Sequence, residues 1–251
     1  MTDLIIDPPI IRARDLSIGW SRDQILLEHG SFDIGRGEIF GILGRSACGK
    51  STLFRVLIGL EPPLAGEVSI AGLGAPRLSA ERPRFGVMFQ QGALIGSLTV
   101  GENVALPLER WTDLPAEAIR ALVRAKLRLV GLDAAEHVMP AELSGGMRKR
   151  AAIARALALE PQLVFLDEPS SGLDPVTSAE LDRLIHTLAR VLGLTVVLVT
   201  HELGSIHAIV DRCILLDRDT RSILASGAPR ELRASSEPRV QHFFERIPEA
   251  A

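Results

Sequence analysis

The sequence predicts an α/β fold organised on a parallel sheet, and three observations carry that prediction. Gly44-Arg45-Ser46-Ala47-Cys48-Gly49-Lys50-Ser51-Thr52 matches the phosphate-binding pattern G-x-x-x-x-G-K-[ST] at every fixed position. An apolar run at 38–43 precedes it and reads as a buried strand, while 53–58 follows and reads as a helix closed by Gly59. Beyond the loop, short apolar runs alternate with segments of helical period, as strands joined by crossover helices require.

The loop has a physical logic. Its successive backbone N–H groups can wrap the phosphates of a nucleotide, and the following helix adds the partial positive charge of its N-terminus. Lys50 would reach the outer phosphates, and the Ser51 hydroxyl would hold Mg²⁺.

Bulk properties narrow the class. With 251 residues, 47% hydrophobic and 24% charged, the chain has enough material for one large domain or two small lobes around a real core. A net charge of −3 gives no bulk steering toward nucleic acid. The two cysteines, Cys48 and Cys213, lack metal-ligand spacing and suit a reducing compartment. The first seven residues lack the basic start and long apolar stretch of a signal peptide, and no apolar run approaches spanning length. A cytoplasmic chain is expected, with any membrane role exercised through a partner.

In chain order, 10–18 alternates roughly and reads as a strand, followed by Trp20. That ring could stack on a purine or be a half-buried surface aromatic; position alone favours the second. A second strand is expected at 30–34, then a Gly-Arg-Gly turn into the strand before the loop. Past the first helix come a breaker cluster at 61–66, a strand at 67–70 and an exposed loop over 76–83. The strand at 85–89 ends in Gln90, at the carboxyl end where open sheets bind ligands, though a loop glutamine would look the same.

From 91 to 160 the character turns helical. A short helix at 100–106 is expected to stop at Pro107, and a longer one opens at Pro115 and closes at Gly131. Arg120, Arg124, Lys126 and Arg128 along it read as a solvated face or a docking surface. Ser144 is a good N-cap, and Gly145 and Gly146 after it leave bare N–H groups, which serve equally as a turn or as a second anion site.

Leu163-Val164-Phe165-Leu166 then delivers Asp167 and Glu168 at a strand's carboxyl end, a geometry suited to a Mg²⁺-phosphate site or to an acidic helix approach. Asp174-Pro175 starts a helix reaching about 192. A strand at 195–200 ends in His201 and Glu202, and a histidine there is structural or a γ-phosphate contact. A closing hairpin over 212–226 and two helical pieces at 229–232 and 240–244 complete the chain. Val240, Phe243 and Phe244 fall at helical spacing and are expected to dock on a neighbouring subunit.

Together these motifs resemble the ATPase subunit of ABC transporters, over about 10–227. The phosphate loop stands first, then Gln90 as the Q-loop, Leu143-Ser144-Gly145-Gly146-Met147 as the signature, Asp167-Glu168 as Walker B with its catalytic glutamate, Asp174 as the D-loop and His201 as the switch histidine. The resemblance implies a P-loop NTPase core with a parallel sheet and an N-terminal antiparallel β subdomain (10–90 and 161–227), an inserted helical signature subdomain (91–160) and a C-terminal tail (228–251). It implies two subunits closing head to tail on two ATPs, with Ser144, Gly145 and Gly146 of one facing the phosphates held by Lys50 of the other. It places Trp20 on adenine, Mg²⁺ on Ser51, Gln90 and Asp167, the attacking water on Glu168, and the γ-phosphate on His201. Arg45, Ala47, Cys48 and Met147 depart from the residues common at their positions, but none removes a group from the catalytic set. Cys48 also puts a thiol in the loop, so a thiol reagent is expected to block activity and ATP to protect.

A narrower likeness is carried by Phe89-Gln90-Gln91-Gly92-Ala93-Leu94, Val100-Gly101-Glu102-Asn103-Val104-Ala105-Leu106-Pro107-Leu108, Met139-Pro140-Ala141-Glu142 before the signature, and the tail Glu237-Pro238-Arg239-Val240-Gln241-His242-Phe243-Phe244. These are similar to the ATPase of Mla-type phospholipid transporters. That implies an integral permease, an MCE-type lipid-binding subunit, a STAS-domain protein, phospholipid as cargo and a place on the cytoplasmic side of a bacterial inner membrane. An ATPase serving another importer or a solvent exporter is the alternative. A soluble ABC protein of translation or DNA repair usually carries two cassettes or a long coiled-coil insertion, and this chain has neither.

Overall fold

The computed structural model describes residues 8–76 and 82–245. The loop expected over 76–83 and the last residues of the tail lie mostly or wholly outside them. In chain order the strands are β1 (Ile11–Ser21), β2 (Gln24–Ile34), β3 (Ile39–Gly44), β4 (Ala65–Ile70), β5 (Phe85–Met88), β6 (Leu163–Asp167), β7 (Thr195–Val199), β8 (Arg212–Asp217) and β9 (Ser222–Gly227). The α-helices are α1 (Lys50–Leu57), α2 (Val100–Trp111), α3 (Ala116–Leu129), α4 (Gly145–Ala156), α5 (Pro175–Leu192), α6 (Leu203–Ile209), α7 (Pro229–Arg233) and α8 (Pro238–Glu245). The chain divides into two compact units, one of Met1–Leu78 with Val199–Ala251, the other of Ser79–Leu198.

In the first unit β1 pairs antiparallel with both β2 and β4, so Ile11 faces Ile34 on one side and Ile70 on the other. The second strand begins at Gln24, earlier than the apolar pattern of 30–34 suggests. The β1–β2 register shifts four times, and Asp15 and His29 adopt left-handed φ, which breaks the alternation that marks a strand in sequence. Beside this sheet, β3 runs parallel to β8, and β8 turns back antiparallel into β9. Every residue of β3 is buried, which is why it reads as a continuous apolar run.

Helix α6, directly after the His201-Glu202 pair, is an element the sequence pattern leaves out; it is only two turns long, and its buried Ser205, Ile206 and Ile209 leave little periodicity to find. The tail expectation is corrected here. Val240 and Phe244 are buried within their own unit, the Phe244 ring lies 5.8 Å from that of His207 on α6, and Arg239 pairs with Asp217 at 2.9 Å. Two of the three residues expected to meet a neighbouring subunit are therefore already covered by their own chain.

In the second unit β5 runs parallel to β6, with β7 on the other side of β6. Helix α4 lies close on β5: a β-carbon on Gly86 would stand 2.2 Å from the Ala156 carbonyl oxygen. Helix α2 does not stop at Pro107 but passes it to Trp111. Proline costs a helix interior about 3 kcal/mol. Burial of Val100, Val104, Ala105 and Leu108, a Thr99–Glu102 capping box and the Thr112 hydroxyl donating to the Leu108 carbonyl at the far end offset it. The basic residues of α3 are largely paired: Lys126 is buried on Glu160 at 2.9 Å, Arg124 meets Glu136 at 2.8 Å and Arg128 meets Asp133 at 3.2 Å. Lys126 leaves the expected solvated face by burial, while Arg120, Arg124 and Arg128 remain exposed on it.

Candidate functional site

In the first unit the phosphate loop joins β3 to α1 as the motif requires. Arg45, Ser46 and Ala47 are exposed at its tip, while Cys48, Gly49 and Lys50 are buried beneath. Gly49 is the N-cap of α1 in left-handed conformation and supplies no side-chain cap, so the first N–H groups of the helix are left to face an anion. Gly44 takes φ +150, and a β-carbon there would lie 2.4 Å from Cys48 Sγ, so the curl of the loop depends on glycine. Ala47 also takes a left-handed φ of 61.

Lys50 is only 7% exposed, and its Nζ donates to the carbonyls of Gly44 at 2.8 Å and Arg45 at 2.9 Å. An ammonium has three donors, so a third N–H remains to meet a phosphate oxygen. Ser51 is exposed at the first turn and Thr52 is buried. Cys48 corrects the reagent expectation. It is 1% exposed, and burial raises its thiol pKa despite the nearby Lys50 charge, so it is a packing residue with little thiolate.

Trp20 is next to last in β1 and is 68% exposed, not half-buried, so one ring face is open to a ligand. His201 follows Thr200, whose N–H donates to Ile42 O in β3 at 3.4 Å, and its Nε2 stands 3.5 Å from Glu202 Oε1. Both side chains are about half exposed.

In the second unit three predicted residues come together with one that sequence reasoning missed. Asp167 ends β6, and Glu168 follows in left-handed conformation at φ 44. That costs a non-glycine residue about 1–2 kcal/mol and marks a held geometry. Gln90, just past β5, donates from Nε2 to Glu168 Oε2 at 3.0 Å. Lys149 of α4 is buried, and its Nζ donates to the carbonyls of Gln90 at 2.5 Å and Glu168 at 3.2 Å. Burial lowers the Lys149 pKa, while the Glu168 and Asp167 charges act to raise it. The signal available in sequence was a basic run, Arg148-Lys149-Arg150, inside a helix otherwise rich in alanine.

Ser144 caps α4, its hydroxyl accepting from Met147 N at 3.2 Å, with Gly145 and Gly146 forming the first turn. A β-carbon on Gly146 would meet Thr177 Cγ2 at 2.6 Å. Asp174 caps α5, accepting from Val176 N, Thr177 N and Thr177 Oγ1; these bonds, the Thr177 hydroxyl first, hold its carboxyl below the usual range. A groove of about 520 Å³ opens in this unit between α2, α3 and the segment at 136–137, with Glu102, Glu109, Glu136 and Arg120 on its walls.

Among the described residues no cluster of three or more His, Cys, Asp and Glu forms a ready metal cage, and no helix is long and apolar enough to cross a membrane. The oxygen donors of Ser51, Asp167 and Gln90 are hard ligands, the class Mg²⁺ takes in small number beside phosphates. Gln90 engages Glu168 through Nε2, which keeps its amide oxygen as the atom for a cation.

The ABC transporter family model matches residues 27–171. The chain is 40% identical over 244 residues to the intermembrane phospholipid transport system ATP-binding protein MlaF of Escherichia coli K12, covering 95% of this chain and 89% of that one. It is 46% identical over 200 residues to the methionine import ATP-binding protein MetN of Ralstonia nicotianae, covering 78% of this chain and 57% of that one. Among solved structures it superposes on the dimeric ATP-binding cassette MJ0796 bound to ADP and Pi with a TM-score of 0.76 and 30% identity, over 87% of this chain and 98% of that one. The phosphate loop on β3, the carboxylates ending β6 and the capped glycines of α4 thus belong to one kind of machine: the chain is a member of the ABC transporter family, an ATP-binding, ATP-hydrolysing subunit.

Proposed function

We propose that this chain powers phospholipid transport between bacterial membranes, as the ATPase of a complex with an integral permease, an MCE-type lipid-binding subunit and a STAS-domain protein. The observation that carries the reading is the 40% identity to MlaF, which extends over 95% of this chain and 89% of that protein, whereas the match to MetN leaves 43% of MetN uncovered. The protein would sit on the cytoplasmic side of the inner membrane, held there by its permease. The groove between α2 and α3 offers a permease segment a place to seat.

The residue roles follow from chemistry. Main-chain N–H groups from Gly44 to Thr52 and the N-terminus of α1 hold the phosphates, Lys50 neutralises the outer ones, and Trp20 offers its face to adenine. Mg²⁺, when bound with the nucleotide, would neutralise charge on the β- and γ-phosphates. Ser51, Asp167 and Gln90 would hold it. Glu168 orients the attacking water and accepts its proton, and His201 holds the γ-phosphate. In an ATP-sandwich homodimer Ser144, Gly145 and Gly146 of one copy face the phosphates on the other, with Asp174 capping the helix next to them.

The test is a tagged pull-down from gently solubilised membranes, with mass spectrometry of proteins and lipids. Recovery of a multi-span permease, an MCE-type subunit and phospholipid supports the reading. A permease with a soluble solute-binding protein and no lipid would assign the ATPase to a different importer. Ribosomes or repair proteins in its place would refute a transport role for this chain.

A further inference from the structure

Gln90, Glu168 and Lys149 form a closed ring of hydrogen bonds. Lys149 donates to the Gln90 carbonyl, the Gln90 side chain donates to the Glu168 carboxylate, and the Glu168 carbonyl accepts from Lys149 again. Two of the three links end on main chain, so the lysine fixes backbone and not merely a side chain. The Glu168 carbonyl accepts a second bond from Ser171 N at 3.2 Å, which uses both of its lone pairs. That is where the backbone takes its left-handed turn.

The same helix grips the next stretch of the Gln90 loop. Arg155 donates to the carbonyls of Gly92 at 2.8 Å and Ala93 at 2.7 Å, and Gly92 sits at φ +77 against Ala152. An ammonium on a four-carbon stem is suited to this place. It reaches from a helix face to two carbonyls at once and carries no acceptor that would repel them.

We infer that Lys149 is a positioning residue for ATP hydrolysis, setting the backbone of Glu168 and Gln90 so that the carboxylate meets the attacking water. The inference rests on the reading of Glu168 as the group that activates water.

The experiment is steady-state ATPase on the full-length protein, with nucleotide-binding stoichiometry and thermal unfolding measured on each variant. Lys149→Met keeps the length of the side chain and removes every donor. It is expected to lower kcat about 10- to 100-fold, with ATP KM within about twofold of the parent and parental binding stoichiometry. Lys149→Arg, which keeps donors, should recover most of the rate. In a Glu168→Gln background Lys149→Met should cost little more, because both changes disable one element. Parental kcat in Lys149→Met, equal losses in Met and Arg, or fully additive loss with Glu168→Gln would each overturn the inference. Should Lys149→Met fail to fold, Lys149→Gln, with two donors at shorter reach, takes its place under the same criteria. High activity in Glu168→Gln itself would instead refute the role of Glu168 and remove the basis of the inference with it.

Discussion

Replacing Asn103 by leucine should loosen the segment that leads from Gln90 into α2. Asn103 is fully buried; its Oδ1 accepts from Ile95 N at 2.8 Å, and its Nδ2 donates to the carbonyls of Ile95, Leu98 and Thr99 at 3.0, 3.1 and 2.9 Å. Leucine is nearly the same size and makes none of these bonds. The two Nδ2 protons are shared among three carbonyls, so with the Oδ1 bond about three bonds' worth is lost. At about 1 kcal/mol net each, less about 1–2 kcal/mol returned by the apolar side chain, the loss is about 1–2 kcal/mol. At roughly 2–4 °C per kcal/mol for a chain of this size, the unfolding temperature should fall by roughly 2–8 °C. Asn103→Asp should be worse. It keeps the acceptor for Ile95 N but turns a negative charge on three carbonyl oxygens. Denaturant unfolding gives the energies, and amide exchange at Ile95, protected in the parent, should speed up in Asn103→Leu. A loss under about 1 kcal/mol, or an aspartate tolerated better than leucine, would refute the reasoning.

Glu168→Gln should leave ATP binding intact and cut turnover by about 10²-fold or more, read by nucleotide titration beside steady-state hydrolysis. Both cysteines should resist alkylation in the native protein: burial raises the Cys48 thiol and pushes Cys213 up to about 12, so little thiolate forms near neutral pH. Mass spectrometry after iodoacetamide should find them unlabelled until denaturant is added, and rapid native labelling of Cys48 would contradict its placement. Asp33 is held below the usual carboxylate range by the hydrogen bond from Arg14, against burial and with Arg12 and Arg212 adding to it. A carboxyl depressed in the folded state stabilises above its unfolded pKa, and loses that as pH falls through the folded value. Asp33→Asn should therefore be less stable than the parent at pH 7, with the gap closing on acidification below about pH 4, as unfolding midpoints at the two pH values would show.

The parts of the site that could be read from sequence are those whose chemistry needs a fixed local spacing. The phosphate loop, the strand ending in Asp167 and Glu168 and the cap at Ser144 each depend on neighbours within a few positions. What stayed hidden depends on distance along the chain. Lys149 lies 59 residues from the Gln90 carbonyl it holds, and nothing local marks it apart from other basic residues on helices. Pro107 reads as a stop because its local cost is real, but the packing of α2 that outweighs it belongs to tertiary structure. Val240 and Phe244 read as an exposed apolar face because position near a terminus suggests exposure; the elements that cover them, α6 and α7, are themselves short and weakly patterned.

The close seat of α4 on β5 has a mechanical consequence. Ala151, Ala152, Ala154 and Ala156 are buried along the helix beside Lys149 and Ile153, and at Gly86 strand and Ala156 approach with no room for a single methyl. Alanine and glycine have no side-chain rotamers to reshuffle, so at this one joint a shift of the helix has to be met by a shift of the strand. A displacement of α4 is therefore expected to move the end of β5, where Gln90 begins, as meshed teeth move together.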